Sequence, residues 1–438
     1  MSRTDGLDKP CFVKIKDANR DELFASGLEY NPPARGMWNI VHSGMLLPGA
    51  HEIFACAQGC LRGVILTAAE MLELDRLSWI SVSESDMFDG TLESDIVDGV
   101  CEIIEKLDKK PPVILLYLSC IHLFAGVDFE AIISELSQKH PEITFVDCYM
   151  TPTMRQTVSP VAKMSSQLYG ALKPLPLKDK VVGIVGNDRA TDEDSELVKI
   201  IRSAGCELRD ITLCKTFEEY LTLAECSLNI SYIPTGFLAG EDLEHRLGAK
   251  HLHLPARYSY EGIKDNYKSL CDELGIDMPD FSPDEAAAEK ALSKAKEIIG
   301  DTPIAIDFTA VTRPFELAWL LCEHGFNVKH IIADSVAGEE DSFDKLCAHD
   351  PEIKIWYAVN VNMLEMPEQD HEHILAVGQK AAYYFATDNF VNIIVNGGYY
   401  GFSGIAKIAE LMIDAYNTPK DRREVLRLKG MGCASCLV

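Results

Sequence analysis

The chain has 438 residues, of which 47% are hydrophobic and 25% charged, a composition typical of a globular protein and not of a disordered or fibrous one. This length exceeds what one hydrophobic core usually serves, so we expect two to four domains. The 41 basic and 68 acidic residues give a net charge of −27, which disfavours nucleic acid and anionic membranes as partners. No apolar run is long enough to span a membrane, and the N-terminus MSRTDGLDKP has no apolar core of a secretion signal, so we expect a cytoplasmic protein.

Residues 1–30 are mixed and polar and are predicted to form an N-terminal arm, and residues 31–175 a first α/β domain. Within this domain, the spacing of apolar residues predicts a helix at 61–74, a buried strand at 111–119, a helix at 128–140 with Asp128 as its N-cap, and a strand at 143–147. The proline-containing stretch LKPLPLKDK at 172–180 predicts a linker.

A second domain is predicted for residues 176–300, a third for residues 301–417, and a C-terminal tail for residues 418–438. Strands of the two domains are predicted at 181–185, 207–212, 227–233, 302–308, 327–333, 353–359 and 390–395. Helices are predicted at 194–205, 217–226, 313–325, 371–386 and 402–416. Alternation of strands and helices at this spacing predicts an α/β fold of three doubly wound domains, with parallel sheets flanked by helices.

Four cysteines of the first domain are predicted to lie at strand ends or in turns. Cys60 and Cys120 each stand between a strand and a helix, Cys56 precedes Cys60 by four residues, and Cys148 ends the run ITFVDC. The start of a helix lowers the pKa of a thiol and suits an anionic cluster, and thiolates are the ligands of iron–sulfur clusters. From the residues alone, metal ligands and buried apolar fillers both remain open.

Other candidate residues carry weaker signals. Cys433 and Cys436 form a CxxC pair in the tail that could cap a cluster, act as a dithiol or lie in a frayed end. Arg313 follows a strand and opens a helix, where it could hold an anionic ligand or form a structural ion pair. His251 and His253 share a strand face, but a hydrogen-bonded pair is the more common role. The chain contains no P-loop and no hydrolase motif, so any use of ATP must come from a partner.

Several stretches together resemble the nitrogenase component 1 family. HEIFACAQGCLRG, LYLSCIHLFAGVDFEAI and FVDCYMTPTM resemble the first domain of its subunits, and DFTAVTRPFELAWLLCEHGFNV and GGYYGFSGIAKIAELM resemble the third, in the same order over about residues 31–417. The resemblance implies three Rossmann-like domains and assembly with a homologous component 1 subunit, as a homodimer or a heterotetramer. It also implies electron delivery by an ATP-dependent iron–sulfur reductase.

Carried over to this chain, the resemblance makes Cys60 and Cys120 ligands of an iron–sulfur cluster, either [4Fe-4S] or a larger P-cluster-like one. The family's earliest ligand is expected near residues 34–36, where this chain has no cysteine, and Cys56 is the candidate to compensate. Cys148 or Thr153 falls where a partner chain approaches the cluster. Arg313 falls in the region that lines the active-site cavity, and is therefore a predicted cofactor-binding residue.

Two departures bear on function. The cysteine that anchors the molybdenum–iron cofactor is expected near Ile233, and its companion histidine within FVNIIVN, but neither is present. The chain therefore resembles nitrogenase-like reductases that act on another substrate, such as a tetrapyrrole or a small organosulfur compound. Two alternatives remain: a scaffold on which a metallocluster is assembled, and a non-enzymatic binding protein of the same fold.

Overall fold

The structure is a computed structural model that describes residues 11–24, 40–151, 159–360, 362–363 and 373–422. Predictions for residues 34–36, for Thr153, and for Cys433 and Cys436 lie outside the described residues. The strands are β1 Phe12–Lys14, β2 Ala50–Cys56, β3 Leu77–Ser81, β4 Val113–Ser119, β5 Thr144–Met150, β6 Lys178–Ile184, β7 Glu207–Asp210, β8 Cys226–Ser231, β9 Lys250–His253, β10 Pro303–Asp307, β11 Asn327–Ala333, β12 Lys354–Tyr357, β13 Leu375–Val377 and β14 Phe390–Val391.

The helices alternate with these strands along most of the chain, as the sequence predicts. They are α1 Arg20–Leu23, α2 Ile40–Met45, α3 Gln58–Glu70, α4 Glu84–Asp89, α5 Leu92–Lys106, α6 Cys120–Ala125, α7 Phe129–Lys139, α8 Pro160–Gln167, α9 Glu196–Ser203, α10 Phe217–Leu221, α11 Phe237–Leu247, α12 Tyr260–Leu274, α13 Ser282–Ile299, α14 Pro314–Glu323, α15 Glu340–His349, α16 Gln379–Tyr384 and α17 Gly401–Asn417. None of the helices in this part of the chain combines the length and apolar character that crossing a bilayer requires.

The first sheet has the strand order β3-β2-β4-β5, and all its strands are parallel. The two central strands, β2 and β4, are buried along their whole length because they are continuous apolar runs covered on both faces. Helices α2, α3 and α8 pack on one face, and α5 and α7 on the other. The predicted N-cap of α7 is confirmed, since the Asp128 carboxylate accepts a hydrogen bond from the Ala131 N–H at 2.9 Å.

The second sheet, β7-β6-β8-β9, is also wholly parallel, and the third has the order β1-β12-β11-β10-β13-β14. All pairs of the third sheet are parallel except β1, which joins β12 antiparallel. The α/β class with three parallel sheets is therefore confirmed. Within the predicted N-terminal arm, residues 12–14 pair with β12 as an edge strand of the third sheet, and the Phe12 ring lies tilted against that of Trp356.

One predicted helix is wrong. In the stretch predicted as a helix over 371–386, the described residues form strand β13 and the short helix α16, separated by Gly378. Strand β13 lies between β10 and β14, where it is fully buried. Burial on both faces removes the polar alternation that would have identified a strand, and the many helix-forming residues around it favour the wrong element.

The order in which the chain adds strands to the first sheet reverses between the two central strands, β2 and β4. The chain passes from β2 to β3 on one side and from β4 to β5 on the other, so the helices that follow β2 and β4 cover opposite faces. Parallel sheets bind ligands at such a point, beyond the carboxyl ends of the strands. The ends of β2 and β4 are therefore the first place to look for a site.

Candidate functional site

Three of the predicted cysteines lie at the ends of β2 and β4. Cys56 is the last residue of β2, Cys60 is the third residue of α3, and Cys120 is the first residue of α6 directly after β4. Ala55 pairs with Leu118, so the two strands end side by side. Cys60 is exposed, Cys120 is partly buried with its Sγ 3.9 Å from the Met150 carbonyl oxygen, and Cys56 is buried.

Cys56 and Cys60 interact with each other. Burial, together with the neighbouring Cys60, raises the pKa of the Cys56 thiol to about 12. A bound cation would reverse this shift, because a coordinating thiol is deprotonated by the metal charge. The Cys56 thiol is therefore protonated at neutral pH in the metal-free chain, and Cys60 and Cys120 stand in the first turns of the helices that follow β2 and β4.

Cys148 does not join this group. Strand β5 continues to Met150, so Cys148 is not at the strand end as predicted, and its side chain is buried against Tyr117 and Glu52. It pairs with Tyr117, which pairs with Phe54, two residues before Cys56. Standard sheet spacings then put the Cα atoms of Cys148 and Cys56 about 11 Å apart. Burial raises the pKa of the Cys148 thiol well above its usual value, as expected for a core residue.

The described residues offer an incomplete ligand set. Within them, no three His, Cys, Asp or Glu side chains converge as a metal site. His122, two residues after Cys120, caps the start of α6: its Nδ1 accepts a hydrogen bond from the Ser119 N–H at 3.2 Å, and burial lowers its pKa. The thiols at the ends of β2 and β4 have the chemistry of iron–sulfur ligands and lie at one edge of the sheet, but a complete ligand set would have to include groups from beyond these residues.

A central cavity of about 320 Å³ opens where the three sheets approach each other. The start of α8 contributes Ser159 and Ala162, and the end of β8 contributes Pro234 and Thr235. The third sheet supplies the remaining wall from the segments that follow β10 and β11: Phe308, Thr312, Pro314, Asp334, Ser335, Ala337 and Glu339. Every wall segment follows a strand or begins a helix, which is the arrangement expected of a ligand site in parallel sheets.

The two positions where the cofactor anchors were expected hold structural residues. Ile233 is 3% exposed and belongs to the apolar core, next to the cavity-lining Pro234. Asn396, in the stretch where the histidine was expected, is buried and accepts a hydrogen bond from the Thr312 N–H at 2.8 Å. Asn396 therefore holds one cavity-lining segment in place and leaves no imidazole there.

Arg313 faces a different cavity. Its Nε donates to Glu316, its Nη2 donates to the Gly338 carbonyl oxygen, and it lines an outer cavity of about 530 Å³ between the second and third sheets. Its neighbours Thr312 and Pro314 line the central cavity instead. Of the two roles left open for Arg313, the structure displays the ion pair, and the cofactor-binding role rests on the resemblance alone.

The histidine pair of β9 also has a structural role. The Ser231 hydroxyl lies 2.8 Å from Nε2 of His251 and 2.8 Å from Nδ1 of His253, and burial lowers the pKa of both imidazoles. Phe237 packs edge-on against both rings. Among the described residues, these two histidines share the Ser231 hydroxyl as a hydrogen-bond partner rather than forming a metal site.

Sequence reasoning missed the carboxylates of the cavity wall. Glu339 is 5% exposed and lines both the central and the outer cavity, and its Oε2 accepts a hydrogen bond from the Glu316 N–H at 2.8 Å. Asp334 follows β11 directly. The rule that ligands bind beyond the carboxyl ends of parallel strands would have identified both, had it been applied to the strand at 327–333.

Three sheets of mainly parallel strands whose loops surround one cavity, with thiols at the carboxyl edge of the first sheet, define an α/β protein. The chain belongs to the nitrogenase component 1 type oxidoreductase family, whose model matches residues 43–418. The resemblance seen in the motifs is therefore confirmed.

Solved structures share this fold. One described as "Nitrogenase Cp1 at pH 6.5" superposes with a TM-score of 0.67 at 14% identity, over 89% of this chain and 93% of that one. Another, "Nitrogenase Cp1 at pH 5", gives a TM-score of 0.57 at 13% identity, over 90% and 91%. At such identities the likeness establishes the fold alone. A comparison with curated proteins finds no match.

Proposed function

We propose that this chain is the cluster-carrying subunit of a nitrogenase-like reductase that acts on a substrate other than dinitrogen. The observation that carries the proposal is the position of Cys60 and Cys120 at the ends of the two central strands of the first sheet, with Cys56 beside Cys60. These thiolates would hold part of a [4Fe-4S] or P-cluster-like cluster. When bound, such a cluster supplies single-electron transfer at a potential set by its surroundings.

A second chain would complete the ligand set. Four apolar side chains stand exposed on the helices that follow β3 and β4, at the same edge as Cys60, and we propose that they belong to one surface; this edge patch is Met87, Phe88, Leu123 and Phe124. Phe88 is 88% exposed and Phe124 73%. Apolar groups of this size usually mark an interaction surface. A homologous subunit packed on the edge patch, in a homodimer or a heterotetramer, would bring further thiolates to the cluster.

The electron donor in this proposal is an ATP-dependent iron–sulfur reductase, as in the family. The central cavity would take the substrate, which the hydroxyl groups of Ser159, Thr235 and Thr312 can orient by hydrogen bonds. Its volume of about 320 Å³ suits a small organic molecule better than an entire tetrapyrrole. Glu339 and Asp334 are the ionisable groups that the described wall offers to such a substrate.

The test is anaerobic reconstitution of the full chain with iron and sulfide. Wild type should bind iron and labile sulfide and show charge-transfer absorbance, and Cys60→Ala or Cys120→Ala should each remove most of that absorbance. Cys206→Ala and Cys271→Ala are matched controls, because these thiols lie in or against the core of the second and third sheets and should leave the cluster intact. A colourless, iron-free wild type would refute the proposal and favour a non-enzymatic binding protein.

The metallocluster scaffold remains a second candidate, because Cys60 is exposed and a cluster held there in an open site could be passed to an acceptor. The two functions differ in their products. A reductase component should support substrate turnover with its reductase and keep its iron, whereas a scaffold should lose iron and sulfide to an apo-acceptor protein without turnover.

A further inference from the structure

The outer cavity, of about 530 Å³ between the second and third sheets, has helix α14 as one wall. Glu316, Trp319, Leu320 and Glu323 of this helix all line the cavity. Spacings of three, four and seven residues place side chains on one face of a helix, so this wall runs from the first turn of α14 to its last. The starts of α12 and α15 form other walls.

The first-turn end of this wall carries two arginines on one carboxylate. Glu316 is 3% exposed; the Arg257 Nε donates to its two carboxylate oxygens at 3.0 and 3.2 Å, and the Arg313 Nε donates to Oε2. Burial would raise the pKa of Glu316, but the charges of Arg313 and Arg257 outweigh it and hold this pKa below its usual value. Two guanidinium groups thus share one carboxylate, and one positive charge is left over at this end.

Both arginines keep donors for a ligand. Among the described residues, the Arg257 side chain forms hydrogen bonds only through Nε, and Arg313 uses Nε and, toward the Gly338 carbonyl oxygen, Nη2. The buried carboxylate fixes both groups in position, and a guanidinium with free Nη donors binds a carboxylate in a paired geometry. Glu339 also lines the cavity, but burial raises the pKa of its carboxyl to about 8, so it does not cancel the positive charge at neutral pH.

The last-turn end of the wall is acidic. Glu323 of α14 and Glu261 of α12 line the cavity and form no ion pair with another residue of the described chain. The Lys345 ammonium lies 5.9 Å from the centre of the Trp319 ring and 2.7 Å from the Asp341 carboxylate. The hydrogen bond to Asp341, and after it the charges of Glu323 and Glu261, raise the pKa of Lys345. Three carboxylates therefore face one ammonium, and the charge at this end favours a second one.

An apolar stretch separates the two charged ends. Glu316 and Glu323 are seven residues apart, which in a helix is about two turns or about 10 Å. Trp319 and Leu320 lie in the turn between them and line the cavity there. A ligand complementary to this order of surfaces carries a carboxylate and an ammonium at opposite ends of an aliphatic stem.

We infer that the outer cavity binds an ω-amino carboxylate, a small zwitterion whose two charges stand at opposite ends of an aliphatic stem. Arg257 and Arg313 bind the carboxylate. Glu323 attracts the ammonium, and the stem lies along Trp319. A free ω-amino acid and the C-terminal lysine of a peptide both present this chemistry. The site uses neither the cysteines nor the hydroxyl groups of the central cavity, so its test is independent of the proposed function.

Isothermal titration calorimetry of the full chain at low salt tests the site with 6-aminohexanoate. Three related probes test its parts: hexanoate lacks the ammonium, hexylamine lacks the carboxylate, and the isomer 2-aminohexanoate holds both charges at one end. We expect 6-aminohexanoate to bind and each related probe to bind at least about tenfold more weakly, because each loses a charge-assisted contact. A related probe that binds as tightly as 6-aminohexanoate would overturn the inference.

A peptide that ends in lysine distinguishes the two sources of the ligand. Its terminal carboxylate and side-chain ammonium should bind as 6-aminohexanoate does. Tighter binding of the peptide would identify a protein C-terminus as the ligand, and weaker binding a free ω-amino acid.

Two substitutions test the residues. Arg257→Ala should weaken 6-aminohexanoate binding at least about tenfold, with Lys268→Ala as the matched control, because Lys268 is an exposed lysine of α12 that does not line the cavity. Lys345→Met should tighten binding, because it removes the ammonium that competes at the acidic end, and misfolding cannot produce such a gain. The inference fails if 6-aminohexanoate does not bind, if Arg257→Ala binds as wild type does, or if Lys345→Met does not bind more tightly.

Discussion

The buried carboxyl group of Glu339 lines two cavities of the third sheet. It lies on the wall between the central and the outer cavity and accepts a hydrogen bond from the first turn of α14. Burial raises the pKa of this carboxyl to about 8, against the opposing effects of the helix N–H groups and of Arg313. Near neutral pH it is therefore a largely protonated acid next to a ligand-sized space.

This pKa predicts a pH-dependent stability. The native state holds the proton more tightly than the unfolded chain, so stability is greatest below the ordinary pKa of 4.5 and falls as the pH rises toward 8. Glu339→Gln removes that loss, and the variant should gain roughly 3 to 5 kcal/mol relative to wild type between pH 4.5 and 8.5. Urea denaturation at several pH values measures the difference.

The adjacent residue provides the control for this measurement. Glu340 is exposed, and backbone hydrogen bonds lower the pKa of its carboxyl. Glu340→Gln should therefore show no relative gain over the same pH range. A flat difference between Glu339→Gln and wild type would mean that Glu339 is ionised in the native protein at neutral pH.

At the residue scale, sequence reasoning identified what local rules determine. The capping role of Asp128 depends only on residues three positions apart, and it was predicted correctly. The burial of Cys148 depends on the pairing of β5 with β4, and the ion pair of Glu316 with Arg257 joins residues 59 positions apart. Such long-range contacts leave no pattern in a single sequence, so these roles could not be predicted.

At the scale of elements, β10, β13 and α16 meet at one buried carboxylate. Asp307 ends β10, and it accepts hydrogen bonds from the Thr309 and Ala310 N–H groups and from the Ala381 N–H of α16, at 2.9–3.0 Å. Gly378 lies between β13 and α16 with φ +116°, and a Cβ there would overlap the Asp307 carboxylate. This glycine allows the chain to turn from strand to helix within one residue.

Gly378→Ala should therefore destabilise the protein by at least about 3 kcal/mol. Alanine is strained in this backbone conformation, and its Cβ would collide with the Asp307 carboxylate. The change should appear as a lower urea midpoint. Gly63→Ala is the matched control: Gly63 lies in the exposed middle of α3 with nothing near its Cβ position, and alanine there should stabilise by up to about 1 kcal/mol. A Gly378→Ala variant as stable as wild type would contradict the conformational argument.

The same junction explains the one wrong helix. The strand β4 was predictable because its seven-residue apolar run follows a proline pair, and the helix α7 because its apolar residues recur with helical periodicity. Strand β13 has three residues, all buried, and is identified only by its pairing with β10. The edge strand β1 is equally short, and its partner β12 lies about 340 positions away, so no local pattern could show it.

At the scale of the whole molecule, the edge patch predicts the oligomeric state. If a second chain packs on the patch, burial of Phe88 and Phe124 contributes to the interface, and a charge there would be costly to bury. Phe124→Glu should convert the assembly to monomers in size-exclusion chromatography with light scattering, and reduce cluster content in parallel.

A substitution elsewhere tests the specificity of this effect. Leu213 is 48% exposed but belongs to the second sheet's loops, so Leu213→Glu should leave the mass unchanged. The interface would have to lie on another face if Phe124→Glu kept the mass of wild type.

The antiparallel pairing of β1 with β12 has a consequence for biosynthesis. The chain begins its described course on the third sheet, builds the first and second sheets, and then returns, so β1 must wait for β12 before it can pair. During translation, which adds residues one by one from the N-terminus, the first two sheets are complete long before that partner leaves the ribosome. In nascent chains arrested before residue 354, the first and second sheets should therefore resist protease while the N-terminal segment with β1 is cleaved. After release of the full chain, the segment with β1 should be the last part to become protected.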